Sequence, residues 1–190
     1  MRIVLLGAPG SGKGTQAALL VEALDLPHIS TGELLRAAVK AGTLLGQKAK
    51  AVIDRGELVS NDIMLGLLEE RLSETDAETG FILDGYPRNL AQAEALDELL
   101  ERLGQPVDEA LQIDVDVDMV IERIARRAAE EGRSDDTEEV VRNRMNVYEE
   151  QTAPVVEYYA RKGLLSRVLG EGTIEEVFQR IRGVLQIRAA

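Results

Sequence analysis

The stretch Gly7-Ala8-Pro9-Gly10-Ser11-Gly12-Lys13-Gly14-Thr15 constrains this chain more than any other. It follows an apolar run, Ile3-Val4-Leu5-Leu6, that reads as a buried strand. It precedes Thr15 to Leu24, where Ala18, Leu19, Val21 and Leu24 recur at helical spacing. Strand, glycine-rich loop, helix is the setting a phosphate-binding loop requires. Glycine lets successive backbone N–H groups turn inward around an anion. The helix start adds unsatisfied donors and the positive end of a dipole. Lys13 adds a full charge for the terminal phosphates. The general pattern places Ser or Thr directly after the lysine, whereas here Gly14 intervenes and the hydroxyl arrives at Thr15. A plain surface turn has no need of four glycines and a lysine between a buried strand and a helix.

The rest of the chain alternates strand and helix. Leu26-Pro27-His28-Ile29 is a short strand, and Ser30 with Glu33 forms a capping box opening a helix to Lys40. Helices follow over Leu44 to Arg55 and from Ser60 to Leu72, so residues 30–59 form a small helical insertion able to move. Phe81-Ile82-Leu83-Asp84 is a buried strand ending in a carboxylate, and Leu90 to Leu103 is a helix. Ala110 to Val115 is the next strand, followed by a helix from Asp116 or Asp118. From Arg126 to Asp136 apolar periodicity is lost, which predicts a short exposed excursion. A long helix begins after Asp136-Thr137, and Pro154 bends or restarts it. Leu164 to Leu169 is the last strand, and Thr173 with Glu176 caps a final helix over Val177 to Leu185. No hairpin signal occurs. The pattern predicts an α/β fold, a parallel five-stranded sheet with helices on both faces, whose ligands lie beyond the carboxyl ends of the strands.

Composition narrows the function classes. The net charge is −12, an unfavourable field for non-specific nucleic-acid binding, so any phosphate must be met by local basic clusters. There is no cysteine, so disulfides and thiolate metal sites are excluded, and the single His28 excludes a multi-histidine metal site. No apolar run approaches the roughly 20 residues of a membrane span. A cytoplasmic enzyme and a monomer are the expectation. Asp84 stands where a Walker B carboxylate helps to hold Mg²⁺; the bland alternative is a turn cap. Arg36, Arg88, Arg123, Arg127, Arg133 and Arg144 are either surface ion pairs or phosphate ligands, and bidentate donors suit phosphate oxygens. His28 reads as a packing residue, and no nucleophile elbow accompanies it.

These residues resemble an adenylate kinase over nearly the whole chain. Gly7 to Thr15, with glycine after the lysine, is similar to that family's nucleotide loop, so Gly14 is a family feature. Ser30-Thr31-Gly32-Glu33-Leu34-Leu35-Arg36 resembles its monophosphate-site helix. Asp84-Gly85-Tyr86-Pro87-Arg88 with Gln92 resembles its signature segment, and Gly132 to Asp136 with Arg144 resembles the end of its lid and the arginine that follows.

The resemblance implies reversible transfer from MgATP to AMP, giving two ADP. It implies a core of residues 1–29, 60–125 and 137–190, a monophosphate-binding insertion at 30–59 and a short lid at 126–136. Gly10, Ser11, Gly12, Lys13, Gly14 and Thr15 would wrap the ATP phosphates, with Lys13 on the transferring group, Arg123 stacked on the adenine and Gly172 offering backbone to it. Thr31, Arg36, Glu57, Leu58, Val59, Gly85, Tyr86, Pro87, Arg88 and Gln92 would bind AMP. Arg127, Arg133 and Arg144 would converge on the phosphates, and Asp84 would hold Mg²⁺ through water. The resemblance implies no general base, and, with a short lid that lacks cysteine, no structural zinc. A UMP/CMP kinase on the same fold, a shikimate- or gluconate-type kinase and a nucleotide sensor without turnover are the rival readings. Thr31 and Gln92 favour AMP over the pyrimidine monophosphates, the intact segment from Asp84 to Gln92 disfavours the other kinases, and Lys13 with six arginines disfavours a sensor.

Overall fold

The computed structural model describes residues 1–131 and 137–186. Its five strands are β1 (Arg2–Leu6), β2 (His28–Ser30), β3 (Phe81–Asp84), β4 (Glu109–Asp114) and β5 (Leu165–Leu169), in the order β2-β3-β1-β4-β5. All pairings are parallel. Parallel neighbours need crossovers, which the helices supply. These are α1 (Lys13–Leu24), α2 (Thr31–Lys40), α3 (Leu44–Ile53), α4 (Asn61–Leu72), α5 (Leu90–Arg102), α6 (Val117–Glu131), α7 (Glu138–Val147), α8 (Ala153–Arg161) and α9 (Ile174–Val184).

The central strand, β1, shows why its sequence is apolar from Ile3 to Leu6. Ile3 and Leu5 pack on one face with Ala17 and Leu20 of α1 and Ile181 of α9. Val4 and Leu6 pack on the other with Leu68 and Leu72 of α4, Leu96 and Leu100 of α5 and Tyr159 of α8. A strand covered on both sides has no polar alternate positions. Each fully buried leucine here contributes roughly 1.5–3 kcal/mol relative to exposure.

Two local expectations are refined. Ser30 Oγ accepts from the Glu33 backbone N–H at 3.4 Å, one half of a capping box. Both halves form at α9, where Thr173 Oγ1 accepts from Glu176 N at 3.2 Å and Glu176 Oε2 from Thr173 N at 2.7 Å. The excursion expected from Arg126 is helical through Glu131 instead. Loss of apolar periodicity reports loss of a buried face, not loss of helix, and Arg-Arg-Ala-Ala-Glu-Glu is rich in strong helix formers.

Pro154 restarts the helix in a specific way. Without an N–H it leaves the Glu150 carbonyl lacking its α-helical donor. Between α7 and α8 the chain makes one π-helical turn, Tyr148–Thr152, in which the Ala153 N–H reaches back to the Tyr148 carbonyl. Such a turn adds a residue to the helix and rotates the side chains beyond it.

Candidate active site

The strand register gathers the candidate residues at one edge. Leu5 of β1 is level with Asp84 of β3, which is level with Ser30 of β2. The glycine loop, Asp84 and the start of α2 therefore emerge side by side at the carboxyl ends of the strands, where parallel sheets bind ligands.

The loop is built as an anion cradle. Gly12 caps α1 with φ 98°, a left-handed conformation that side-chain-bearing residues adopt only under strain. Lys13 Nζ donates to the Gly7 and Ala8 carbonyls at 2.8 and 2.9 Å, so the ammonium lies across the loop. A Cβ on Gly14 would stand 4.0 Å from Asp84 Oδ2, so this position lies between the loop and the carboxylate. Arg123 on α6 donates to the Ser11 carbonyl at 3.3 Å and the Gly170 carbonyl at 2.9 Å, tying the loop to the segment after β5.

Asp84 is largely buried, and His28 Nε2 stands 3.6 Å from its Oδ2. Burial pushes this carboxyl up, but His28, Lys13 and Arg88 outweigh it and hold the carboxyl below the usual range. An ionised carboxylate beside a phosphate cradle suits a divalent cation. Among the described residues no cluster of three or more His, Asp or Glu forms a metal cage. A cation here would therefore depend on nucleotide oxygens and water for its remaining ligands.

Two adjoining cavities meet at this edge. The larger, of about 1100 Å³, is lined by Gly10 to Thr15, Asp84, Pro87, Arg123 and Gly172. The smaller, of about 70 Å³, is lined by Thr31, Glu57, Leu58, Val59 and Gln92. Leu58, Arg36, Gly85, Tyr86, Arg88 and Arg144 line both. In a chain of net charge −12, three shared guanidinium groups and Lys13 make this a concentrated positive wall.

The wall is braced from the backbone. Gln92 Oε1 accepts from the Arg88 N–H at 2.7 Å, and its Nε2 donates to Asn61 Oδ1 at 2.9 Å. Arg88 Nε donates to the Gly85 carbonyl at 2.7 Å. The Tyr86–Pro87 peptide is cis, and burial pushes the Tyr86 hydroxyl up to about 12. Thr31 Oγ1 donates to the Asp84 carbonyl at 3.3 Å. Arg36 lies over Gly32, where a Cβ would come within 3.2 Å of its Nη1.

Arg144 enters from α7, against the insertion. Gly56 has φ 70°, and a Cβ there would come within 2.9 Å of Arg144 Cγ and 3.0 Å of the Val140 carbonyl. Asn143 Nδ2 donates to the Arg55 carbonyl at 2.6 Å beside it. Gly56→Ala is expected to lower unfolding free energy by about 1–3 kcal/mol through the left-handed backbone alone. The crowding at Arg144 adds to that cost. Urea unfolding measures it, and an unchanged midpoint would show that α7 does not pack on the insertion this tightly.

Comparison with known proteins decides the family. The model of the adenylate kinase family matches residues 5–164. The chain belongs to the adenylate kinase family. It is 58% identical over 186 residues to an adenylate kinase of Stenotrophomonas maltophilia, covering 98% of this chain and 100% of that protein. It is 59% identical over 185 residues to one of Xanthomonas euvesicatoria pv. vesicatoria, covering 97% and 99%. The fold expected of an adenylate kinase is the one observed, and the chain is an enzyme of that family.

Most residues singled out for an adenylate kinase come together around the two cavities. Arg127 lies in α6 and its side chain is outside the described residues, as is the whole of Arg133. Arg126, Tyr148 and Thr152 also line the larger cavity and were not singled out from the sequence. The signal for the last two was Pro154, whose effect on the preceding turn brings them to the cleft. Asn61 looked like a helix start, and nothing in its sequence setting tied it to Gln92.

Proposed function

We propose that the larger cavity takes MgATP and the smaller takes AMP, and that the chain transfers the terminal phosphoryl group between them to give two ADP. The observation that carries this allocation is the shared wall: Arg36, Arg88 and Arg144 line both cavities, with Lys13 in the larger. Two polyanions meeting end to end need their charge neutralised where they meet.

In this reading Gly10 to Thr15 wrap the ATP phosphates, Lys13 holds the transferring group, and Arg123 and Gly172 lie at the adenine. Thr31, Arg36, the main chain of Glu57 to Val59, Gly85 to Arg88 and Gln92 hold AMP. Arg127, Arg133 and Arg144 complete the charge at the phosphates. A phosphate oxygen of AMP bonds to the γ-phosphorus as the bond from that phosphorus to the bridging oxygen breaks, and ADP departs. AMP's phosphate is already ionised, so no general base is required, and catalysis is positioning plus charge stabilisation. Asp84 would hold Mg²⁺ through water, and the ion, bound with ATP, supplies further neutralisation of its phosphate oxygens. Residues 30–59 form the monophosphate-binding insertion and 126–136 a short lid, with core around them. Both close on substrate to keep water from the γ-phosphate. With no cysteine in the chain, the lid has no thiolate ligands for zinc. We assign the protein to the cytoplasm as a monomer; no described helix is long and apolar enough to cross a membrane.

A steady-state assay with ATP and each monophosphate tests the allocation. kcat/KM for AMP is expected to exceed that for UMP and CMP by at least about 10²-fold, since the single pyrimidine ring is too short for its edge to reach a base-reading amide set for a purine and leaves it unpaired. Comparable rates with UMP would remove Gln92 from adenine recognition. No turnover with any monophosphate would favour a sensor.

A further inference from the structure

We propose that Thr152 is a positioning residue for phosphoryl transfer, acting through Arg88. Thr152 Oγ1 donates to the Arg88 carbonyl at 2.8 Å, across 64 residues of sequence. The Arg88 N–H is held at 2.7 Å by Gln92, and its Nε is bonded at 2.7 Å to Gly85. Arg88 is thus fixed at its amide, at its carbonyl and along its side chain. The carbonyl contact is the one made from the other half of the chain. It crosses from the segment after the lid to the wall shared by the two cavities.

The π turn makes this contact. In a regular helix Thr152 would follow α7 at 100° per residue, and the additional residue in the Tyr148–Thr152 turn changes where its side chain points. Pro154, which cannot supply the α-helical donor, maintains that register. The helix therefore carries a local irregularity whose product is a hydroxyl at the Arg88 carbonyl. A π turn costs hydrogen-bond quality, and here it lines the reaction cleft through Tyr148 and Thr152.

This inference rests on the reading of Arg88 as a ligand of the transferring phosphates, but its structural half does not. The test is a set of three full-length variants. Thr152→Val keeps the shape and removes the donor, Thr152→Ser keeps the donor, and Pro154→Ala permits the α register. Deuterium uptake over 85–92, measured without nucleotide, is expected to rise several-fold in Thr152→Val and Pro154→Ala and to match wild type in Thr152→Ser. In the coupled assay, kcat/KM for AMP is expected to fall about tenfold in Thr152→Val, with KM for ATP within twofold and activity regained in Thr152→Ser. Unchanged exchange in Thr152→Val overturns the contact itself. Altered exchange with unchanged kinetics overturns only the role assigned through Arg88. Equal losses in the Val and Ser variants would also overturn it, since packing and not the hydroxyl would then matter. A failure of the function reading looks different: wild type itself would give no ADP, while the exchange results stand.

Discussion

Lys13→Ala is expected to lower kcat by at least roughly 10²-fold, the loss seen when one preorganised charged donor is removed from a transition state. The lysine opens α1 on the loop's own axis, and its ammonium already lies within 2.8 and 2.9 Å of the Gly7 and Ala8 carbonyls. It therefore needs little reorganisation to meet phosphate oxygens at the same loop. The charge of Lys13 also helps to keep Asp84 ionised, so its removal weakens the site twice. Coupled ADP formation under saturating ATP and AMP gives the number, and thermal unfolding shows whether the variant is folded. A drop under about tenfold in a folded variant would mean that another cation carries the transferring group.

Arg88→Lys is expected to lower kcat/KM for AMP by about 10²-fold, although it keeps the charge. A guanidinium bonds Gly85 through Nε and still has two terminal nitrogens in a rigid fork. The lysine side chain ends in a single ammonium, which cannot hold the Gly85 carbonyl and grip a phosphate in two-point fashion at once. The site lies where both cavities share a wall, so the loss should appear in kcat as well as in KM for AMP. Initial rates over a grid of both substrates separate the two. A variant with kcat intact and only KM raised would place Arg88 in ground-state binding alone.

The sheet was legible because its strands are short apolar runs bounded by glycine, proline or acidic residues, and because no hairpin turn joins them. The glycine loop was legible because close backbone approach leaves few sequence solutions. Boundaries moved by a residue or two, as at α1, which starts at Lys13 and not Thr15. The stretch after Arg126 misled because apolar periodicity reports what a helix buries, and strong helix formers continue a helix without that pattern. The wall of arginines was legible as a set of residue types, while its sharing between two cavities was not. That sharing depends on how α7 meets the insertion at Gly56, a contact between segments 88 residues apart in the Asn143–Arg55 bond. Thr152 was hidden for a related reason: a proline flags a break in a helix but not which side chain the break will turn.

The order of the strands carries a consequence for how the polypeptide is made. β1, which is made before its neighbours, ends in the middle of the sheet, between β3 and β4. Its two partners begin at Phe81 and Glu109, so at synthesis rates of roughly 5–20 residues per second β1 waits on the order of ten seconds for both edges to be covered. During that interval its apolar residues and open backbone edges must be kept from other chains. The nucleotide loop meets its supports only after translation has passed β4 and α6, because a Cβ on Gly7 would stand 2.6 Å from the Ile113 carbonyl and one on Gly10 would stand 2.7 Å from Ile124. For this chain, the part of the sequence that announces the function is synthesised well before the partners that let it perform that function.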